Sequence, residues 1–291
     1  MVKLEGSIVA LVTPMTESGA IDYDNLGRLL EFHIDAGTHG IVAVGTTGES
    51  ATLAVDEHLK VVKYCIEQIK GRIPLIAGTG ANSTSEAIHL TQQAAGLGAD
   101  ACLLVVPYYN KPNQRGLITH FEQIALAVDI PQILYNVPGR TVADLSNQSV
   151  EVLADIDNII AIKDATGDIE RGRALIEACG HKVAVLSGDD ATALDLMRVG
   201  GRGDISVTAN VAPHLMSQMC TAALSGDFDK AAELDTQLQV LHEGLFIEAN
   251  PMPVKYAVSK MGYTHNTLRL PLVALDNEEQ ATVDGFIKPF I

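Results

Sequence analysis

A lysine that ends a run of buried apolar residues can do chemistry that a surface lysine cannot. Lys163 is such a residue, following Ile159-Ile160-Ala161-Ile162. An amine among apolar neighbours loses solvation, which disfavours the ammonium form and leaves a nucleophile able to attack a carbonyl. Among the other lysines, Lys60, Lys63, Lys70, Lys255 and Lys260 sit on helical patterns, Lys111 in a loop, Lys182 before a strand, and Lys3 and Lys288 near the termini. Those read as ordinary solvated positions. Position alone leaves a plainer reading of Lys163 open, in which its stem carries the charge to solvent or the ammonium pairs with Asp164 or Asp168.

Other residues fall where they could serve such a lysine. Gly45-Thr46-Thr47-Gly48 puts two hydroxyls and several amides in a tight turn, suited to a small carboxylate or a proton relay; a plain turn whose hydroxyls bond their own backbone is the alternative. Tyr135 ends the run preceding that of Lys163 and could exchange protons with an adduct, although a tyrosine there more often only packs. Tyr108-Tyr109 in a loop suits a subunit contact as well as chemistry. Arg140 lies in a loop where a guanidinium fork can grip a carboxylate, against the alternative of a surface ion pair.

The elements that position these residues follow from the apolar pattern. Unbroken short runs mark parallel strands buried on both faces. They occur at 7–12, 40–44, 74–77, 101–106, 131–135, 159–163, 183–187 and 204–207, separated by amphipathic stretches with helix starts at Asp56-Glu57, Ser83-Thr84-Ser85-Glu86 and Asp189-Asp190. Eight strand–helix repeats predict a (β/α)₈ TIM barrel, in which chemistry sits where strands end. An open doubly wound sheet would show a G-x-G-x-x-G turn after its first strand, where Val12-Thr13-Pro14-Met15 stands instead. Beyond residue 224 the pattern is helical only, near 227–247, from Pro253, and near 277–290. The expected division is a catalytic barrel over 1–224 and a C-terminal helical extension over 225–291.

Composition narrows the class. The 291 residues are 47% hydrophobic, enough for one large core, and no apolar run reaches the roughly 20 residues of a membrane span. The opening MVKLEGSIVALVTPM lacks a signal-peptide cleavage site and reads as the first strand. Cys65, Cys102, Cys179 and Cys220 are scattered singly, which points to reduced thiols and a cytoplasmic location. A net charge of −16 argues against nucleic acid and means that local donors must hold any anionic substrate. Nine histidines show no His-x-x-His or H-E-x-x-H spacing, which disfavours a zinc-dependent aldolase.

GTTGESATL at 45–53, IAGTGAN at 76–82, PYYNKP at 107–112, ILYNVPGRT at 133–141, IKDATG at 162–167, LSGDD at 186–190 and ISVTANV at 205–211 together resemble the dihydrodipicolinate synthase and N-acetylneuraminate lyase family of class I aldolases, on its synthase side and over the whole chain. The resemblance implies that Lys163 forms a Schiff base with pyruvate and that Tyr135, Thr46 and Tyr109 relay protons, with Tyr109 supplied by a neighbouring subunit. It further implies that Thr46 and Thr47 hold the pyruvate carboxylate, that Arg140 binds the carboxylate of an incoming L-aspartate-4-semialdehyde, and that Gly188 and the Ile205 carbonyl border the nucleophile. No cofactor is called for, because the lysine does the carbonyl chemistry. Asp164 replaces the glutamate more usual beside the lysine and keeps its charge.

The resemblance also implies a homo-oligomer, a tetramer built as a dimer of dimers, and an interface pocket for an L-lysine effector at Ser50, Ala51, His58, Asn82, Glu86 and Tyr108. Val55 stands where some sensitive members carry a further histidine. The alternatives are a sialic-acid or sugar-acid lyase, whose polyol substrate would want hydroxyl partners at the place of Arg140, and a barrel kept only for binding, which would be expected to lack Lys163 or Tyr135.

Overall fold

A computed structural model describes residues 3–291. Met1 and Val2, at the start of the stretch read as the first strand and of the expected barrel unit, lie outside them. In chain order the elements are β1 Gly6–Ala10, α1 Tyr23–Asp35, β2 Gly40–Ala43, α2 Val55–Ile69, β3 Leu75–Gly78, α3 Thr84–Leu97, β4 Ala101–Val105, α4 Gln114–Ala127, β5 Gln132–Asn136, α5 Pro138–Thr141, α6 Asn147–Leu153 and β6 Ile159–Asp164. There follow α7 Ile169–Cys179, β7 Ala184–Ser187, α8 Ala193–Arg198, β8 Gly203–Ser206, α9 Pro213–Leu224, α10 Phe228–Gly244, α11 Met252–Lys260 and α12 Asn277–Ile287. Each strand pairs in parallel with the next, and β8 returns to β1 through Gly6↔Gly203 and Ile8↔Ile205, closing the barrel.

Strand ends deviate from the apolar runs by one or two residues, for local reasons. β2 stops at Ala43 because Val44 turns into left-handed backbone (φ 55), a conformation unsuited to a strand. β1 stops at Ala10, and the Val12 N–H donates to the Asn210 side chain at 3.0 Å instead of to a strand. Asp189-Asp190 opens a short 3-10 turn, Asp190–Thr192, rather than capping a helix with its side chain.

Alternate strand residues face inward, as the two-residue period requires. Ile8, Val42, Ile76, Leu103, Ile133, Ala161, Leu186 and Ile205 pack together inside the barrel, and the other faces pack against helices in two larger clusters. Helices α10, α11 and α12 bury Leu238, Val254 and Val283 in the same cluster as residues of β1, β2 and α1. Among the described residues no helix is long and apolar enough to cross a membrane.

Candidate active site

All strands being parallel, their carboxyl ends share one face of the barrel. Lys163 is next to last in β6, in step with the inward-facing Ala161, so it projects into the barrel mouth. The register sets it opposite Tyr135 on β5 and Leu186 on β7. The residue is 5% exposed, and Nζ stands 4.5 Å from the centre of the Tyr135 ring. Asp164 instead accepts from the Thr166 N–H at 3.2 Å and the Thr166 hydroxyl at 3.1 Å, and Asp168 accepts from the Arg171 N–H at 3.0 Å. Among the described residues, ion pairs form elsewhere and none includes Lys163. Neither solvent nor a carboxylate takes up this amine.

The walls around it depend on small residues. A Cβ on Gly188 would sit 2.5 Å from Lys163 Cε and 2.8 Å from Ala165 Cβ, so only glycine lets the loop after β7 come this close. Ile205 is buried inside the barrel with Tyr135 and Leu186. Two residues past Gly188, the buried Asp190 reaches the end of β8, accepting from the Ser206 hydroxyl and from the Val207 and Thr208 N–H groups at 2.9 and 3.1 Å. It thereby ties the Gly188 loop to the Ile205 strand. Nearby Asp204 has its pKa raised well above the usual carboxylate value by burial and then by the charge of Asp190.

The turn after β2 runs between two left-handed residues, Val44 and Glu49 (φ 59). Thr47 is buried, and its hydroxyl accepts from Asn250 Nδ2 at 3.0 Å; Thr46 is half-buried, and its carbonyl accepts from the Glu49 N–H at 3.1 Å. Arg140, exposed in α5, donates to the Asn250 carbonyl at 3.1 Å. Asn250 thus bonds two of the three residues expected to hold carboxylates, Thr47 and Arg140. The hydroxyls of Tyr135 and Thr46 share no hydrogen bond among the described residues. Tyr109 is 89% exposed with φ 75, standing away from the buried lysine of its own chain.

The residues expected to form an effector pocket are partly gathered. Asn82 Nδ2 donates to the Tyr108 carbonyl at 3.3 Å, and Asn110 donates to the Asn82 carbonyl at 2.8 Å. Burial, then the nearby Glu86 charge, raises the Tyr108 pKa. Ala51 and Glu86 are exposed and Ser50 is half-buried. His58 is buried instead on the inner side of α2, where desolvation lowers its pKa against a bond with the Gly78 backbone.

One reading of the sequence is corrected. Lys255 does not lie in solvent: it is 0% exposed and its ammonium meets the equally buried Glu49 carboxylate. The signal was present, since Val254 to Val258 are all buried and α11 has no polar stripe that could face water. Asn250, Glu49 and Asp190 were also missed as working parts. The last two lie inside GTTGESATL and LSGDD, but their partners are distant in sequence. Among the described residues no group of three or more His, Cys, Asp or Glu could hold a metal ion.

A closed parallel barrel with an unpaired lysine at the mouth, facing a tyrosine from the neighbouring strand, defines the class of lysine-bearing (β/α)₈ barrels. Within it, the chain belongs to the Dihydrodipicolinate synthetase family, which it matches over residues 3–289. A 4-hydroxy-tetrahydrodipicolinate synthase of Psychrobacter arcticus is 57% identical over 282 residues, 97% of this chain and 94% of its own. The chloride-inhibited dihydrodipicolinate synthase of Acinetobacter baumannii, solved in complex with pyruvate, superposes with a TM-score of 0.98 at 53% identity, covering 99% of this chain and 100% of its own. The enzyme of Cyanidioschyzon merolae with lysine bound gives 0.94 at 36% identity, covering 98% and 97%.

Proposed function

We propose that this chain condenses pyruvate with L-aspartate-4-semialdehyde through a Schiff base on Lys163, in the pathway to diaminopimelate and lysine. The observation that carries the reading is a buried lysine without a counter-ion, 4.5 Å from the Tyr135 ring, in a member of this family. The Lys163 amine adds to the pyruvate ketone and water leaves. The iminium then acidifies the methyl group, and loss of a proton gives an enamine. The enamine carbon attacks the aldehyde; the amino group of that substrate then closes the ring and displaces Lys163, releasing a hydroxylated tetrahydrodipicolinate. On this reading Thr46 and Thr47 hold the pyruvate carboxylate, and Arg140 the second carboxylate. A sugar-acid lyase is the second reading, and Arg140 at the mouth weighs against it. Ring product formed from pyruvate and the semialdehyde, with no cleavage of N-acetylneuraminate, is expected; the reverse pattern would overturn the assignment.

The exposed Tyr109 supports a shared site in which a second copy of this chain completes the Tyr135–Thr46 relay, within a tetramer of two tight dimers. Mixing Tyr109→Phe and Lys163→Ala proteins is expected to regain activity once chains exchange; proven exchange without recovery would contradict this. The four cysteines are free and buried, which supports a cytoplasmic location, and a disulfide found in the isolated protein would count against it. The barrel through residue 224 and the extension 225–291 form one working unit on this reading, and activity in a chain ending at 224 would refute that.

L-Lysine is proposed as an effector at Ser50, Ala51, His58, Asn82, Glu86 and Tyr108, on the gathering of Asn82, Glu86 and Tyr108 and the lysine-bound relative. With Val55 in place of a polar group, inhibition should be partial, since one neutral hydrogen bond is worth about 0.5–1.5 kcal/mol. A lysine titration should lose its effect in Glu86→Ala while turnover survives; inhibition untouched by that change would remove the pocket.

A further inference from the structure

The Thr46–Thr47 turn is held from outside the barrel. Glu49, two residues past Thr47, has a buried carboxylate with both oxygens engaged: one meets Lys255 Nζ and the other accepts the Arg269 N–H at 3.1 Å. Five residues before Lys255, Asn250 donates to the Thr47 hydroxyl and accepts from Arg140. A single short segment, 250–255, therefore grips the turn at two points and Arg140 at a third. Its far side is anchored too, since Arg269 forks onto Glu57 at 2.5 and 2.7 Å and donates to the Gly19 carbonyl at 2.8 Å.

A fully buried ion pair is a weak device for stability, because desolvating two charges consumes most of what their attraction returns, and an apolar pair of similar volume would often do as well. What such a pair supplies and an apolar one does not is a fixed direction and distance. The left-handed backbone of Glu49 is a further cost that an unconstrained turn would not bear.

We propose that Glu49 and Lys255 are a positioning pair for substrate binding, locking the Thr46–Thr47 turn to the segment that carries Asn250 and so fixing the spacing between the two threonine hydroxyls and Arg140. The inference deepens the pyruvate–semialdehyde reading above and rests on it. Lys163 lies on β6, whereas the pair joins the turn after β2 to the segment carrying Asn250, so the pair acts first on how substrates are held and reaches the proton transfers only through the Thr46 hydroxyl.

Replacing both members at once, Glu49→Gln with Lys255→Met, removes the two charges together and strands neither. The double variant should melt within a few degrees of the unaltered protein and still be trapped on Lys163 by pyruvate and borohydride at saturating pyruvate. Its KM for pyruvate should rise about tenfold, below the ~10²-fold that a 1 Å misplacement can cost, with kcat changed less than about threefold. Glu49→Asp, which keeps the charge beside Lys255 but shortens the tether by one methylene, should raise KM in the same sense, and it decides the matter should the double variant fail to fold. A folded variant with KM and kcat both unchanged overturns the proposal and leaves the pair a feature of stability alone; so does a fall in kcat at unchanged KM. Absence of trapping in the unaltered protein is a separate result, which would sink the Schiff-base reading and this proposal with it.

Discussion

Lys163 and Lys255 are both buried, yet one sits near the end of a barrel strand against a tyrosine ring with no ion-pair partner among the described residues, and the other lies on an extension helix with Glu49 on its ammonium. Burial lowers the Lys255 pKa and the Glu49 carboxylate opposes that shift. The contrast shows that depth alone does not make a lysine reactive. A buried amine with a counter-ion becomes a strut, while one facing a hydroxyl-bearing ring and an open mouth is available to a carbonyl. The same contrast separates the regions: the barrel mouth carries the proposed reacting group, and the extension makes the contacts that hold the proposed binding turn.

Removing each lysine alone should have opposite consequences. Lys163→Ala should lower turnover by ~10⁴-fold or more, as loss of a covalent nucleophile does, with an unchanged or higher melting temperature, since an unpaired buried amine adds nothing to the fold. Lys255→Met should do the opposite in kind, costing about 3–5 kcal/mol of stability because Glu49 is left buried and uncompensated. Equal losses of stability in both, by thermal and denaturant unfolding, would erase the distinction.

The next effect tests how closely the mouth is built. Gly188→Ala places a methyl 2.5 Å from Lys163 Cε, too close for the proposed nucleophile to keep its position. A fall in kcat of up to ~10²-fold is expected, read by steady-state rates; a wild-type kcat would mean that the lysine has room to spare.

Much of this was legible in the sequence and some was not, for identifiable reasons. Ile159 to Ile162 are apolar without a break because β6 is covered on both faces, and that same burial made Lys163 stand out at the end of the run. Tyr135 followed from lying on the preceding strand. The carbonyl and Nδ2 of Asn250, by contrast, act on Arg140 and Thr47 some 110 and 203 residues away, and hydrophobic period carries no information about such contacts. Lys255 was misread because a lysine on a helical pattern defaults to solvent, although the apolar residues on either side of it leave α11 no wet face. Asp190 resembled a helix cap, and its actual partners at the end of β8 exist only once the barrel closes.

A pH-dependent effect concerns other buried bases without a carboxylate. Among the described residues the side-chain hydrogen bonds of His33 and His120 go to the Thr38 and Thr84 hydroxyls, at 3.2 and 2.9 Å, and desolvation pushes their pKa values down from 6.5 to about 3 and about 4. Both stay neutral in the fold while the unfolded chain takes up protons below 6.5. Stability is therefore fully kept above that pH and is lost as pH falls from 6.5 towards 4 and 3, by roughly 1.4 kcal/mol per pH unit for each. Denaturant unfolding at pH 7.5 and pH 5 checks this; equal stabilities would show that both histidines can reach solvent.

The claim that Lys163 and not Lys255 is the reacting amine can be read directly. Incubation with pyruvate, reduction with borohydride and peptide mapping should find one reduced adduct, on the peptide containing Lys163, and none after Lys163→Ala. An adduct on any other lysine, or no adduct in the unaltered protein, would contradict it.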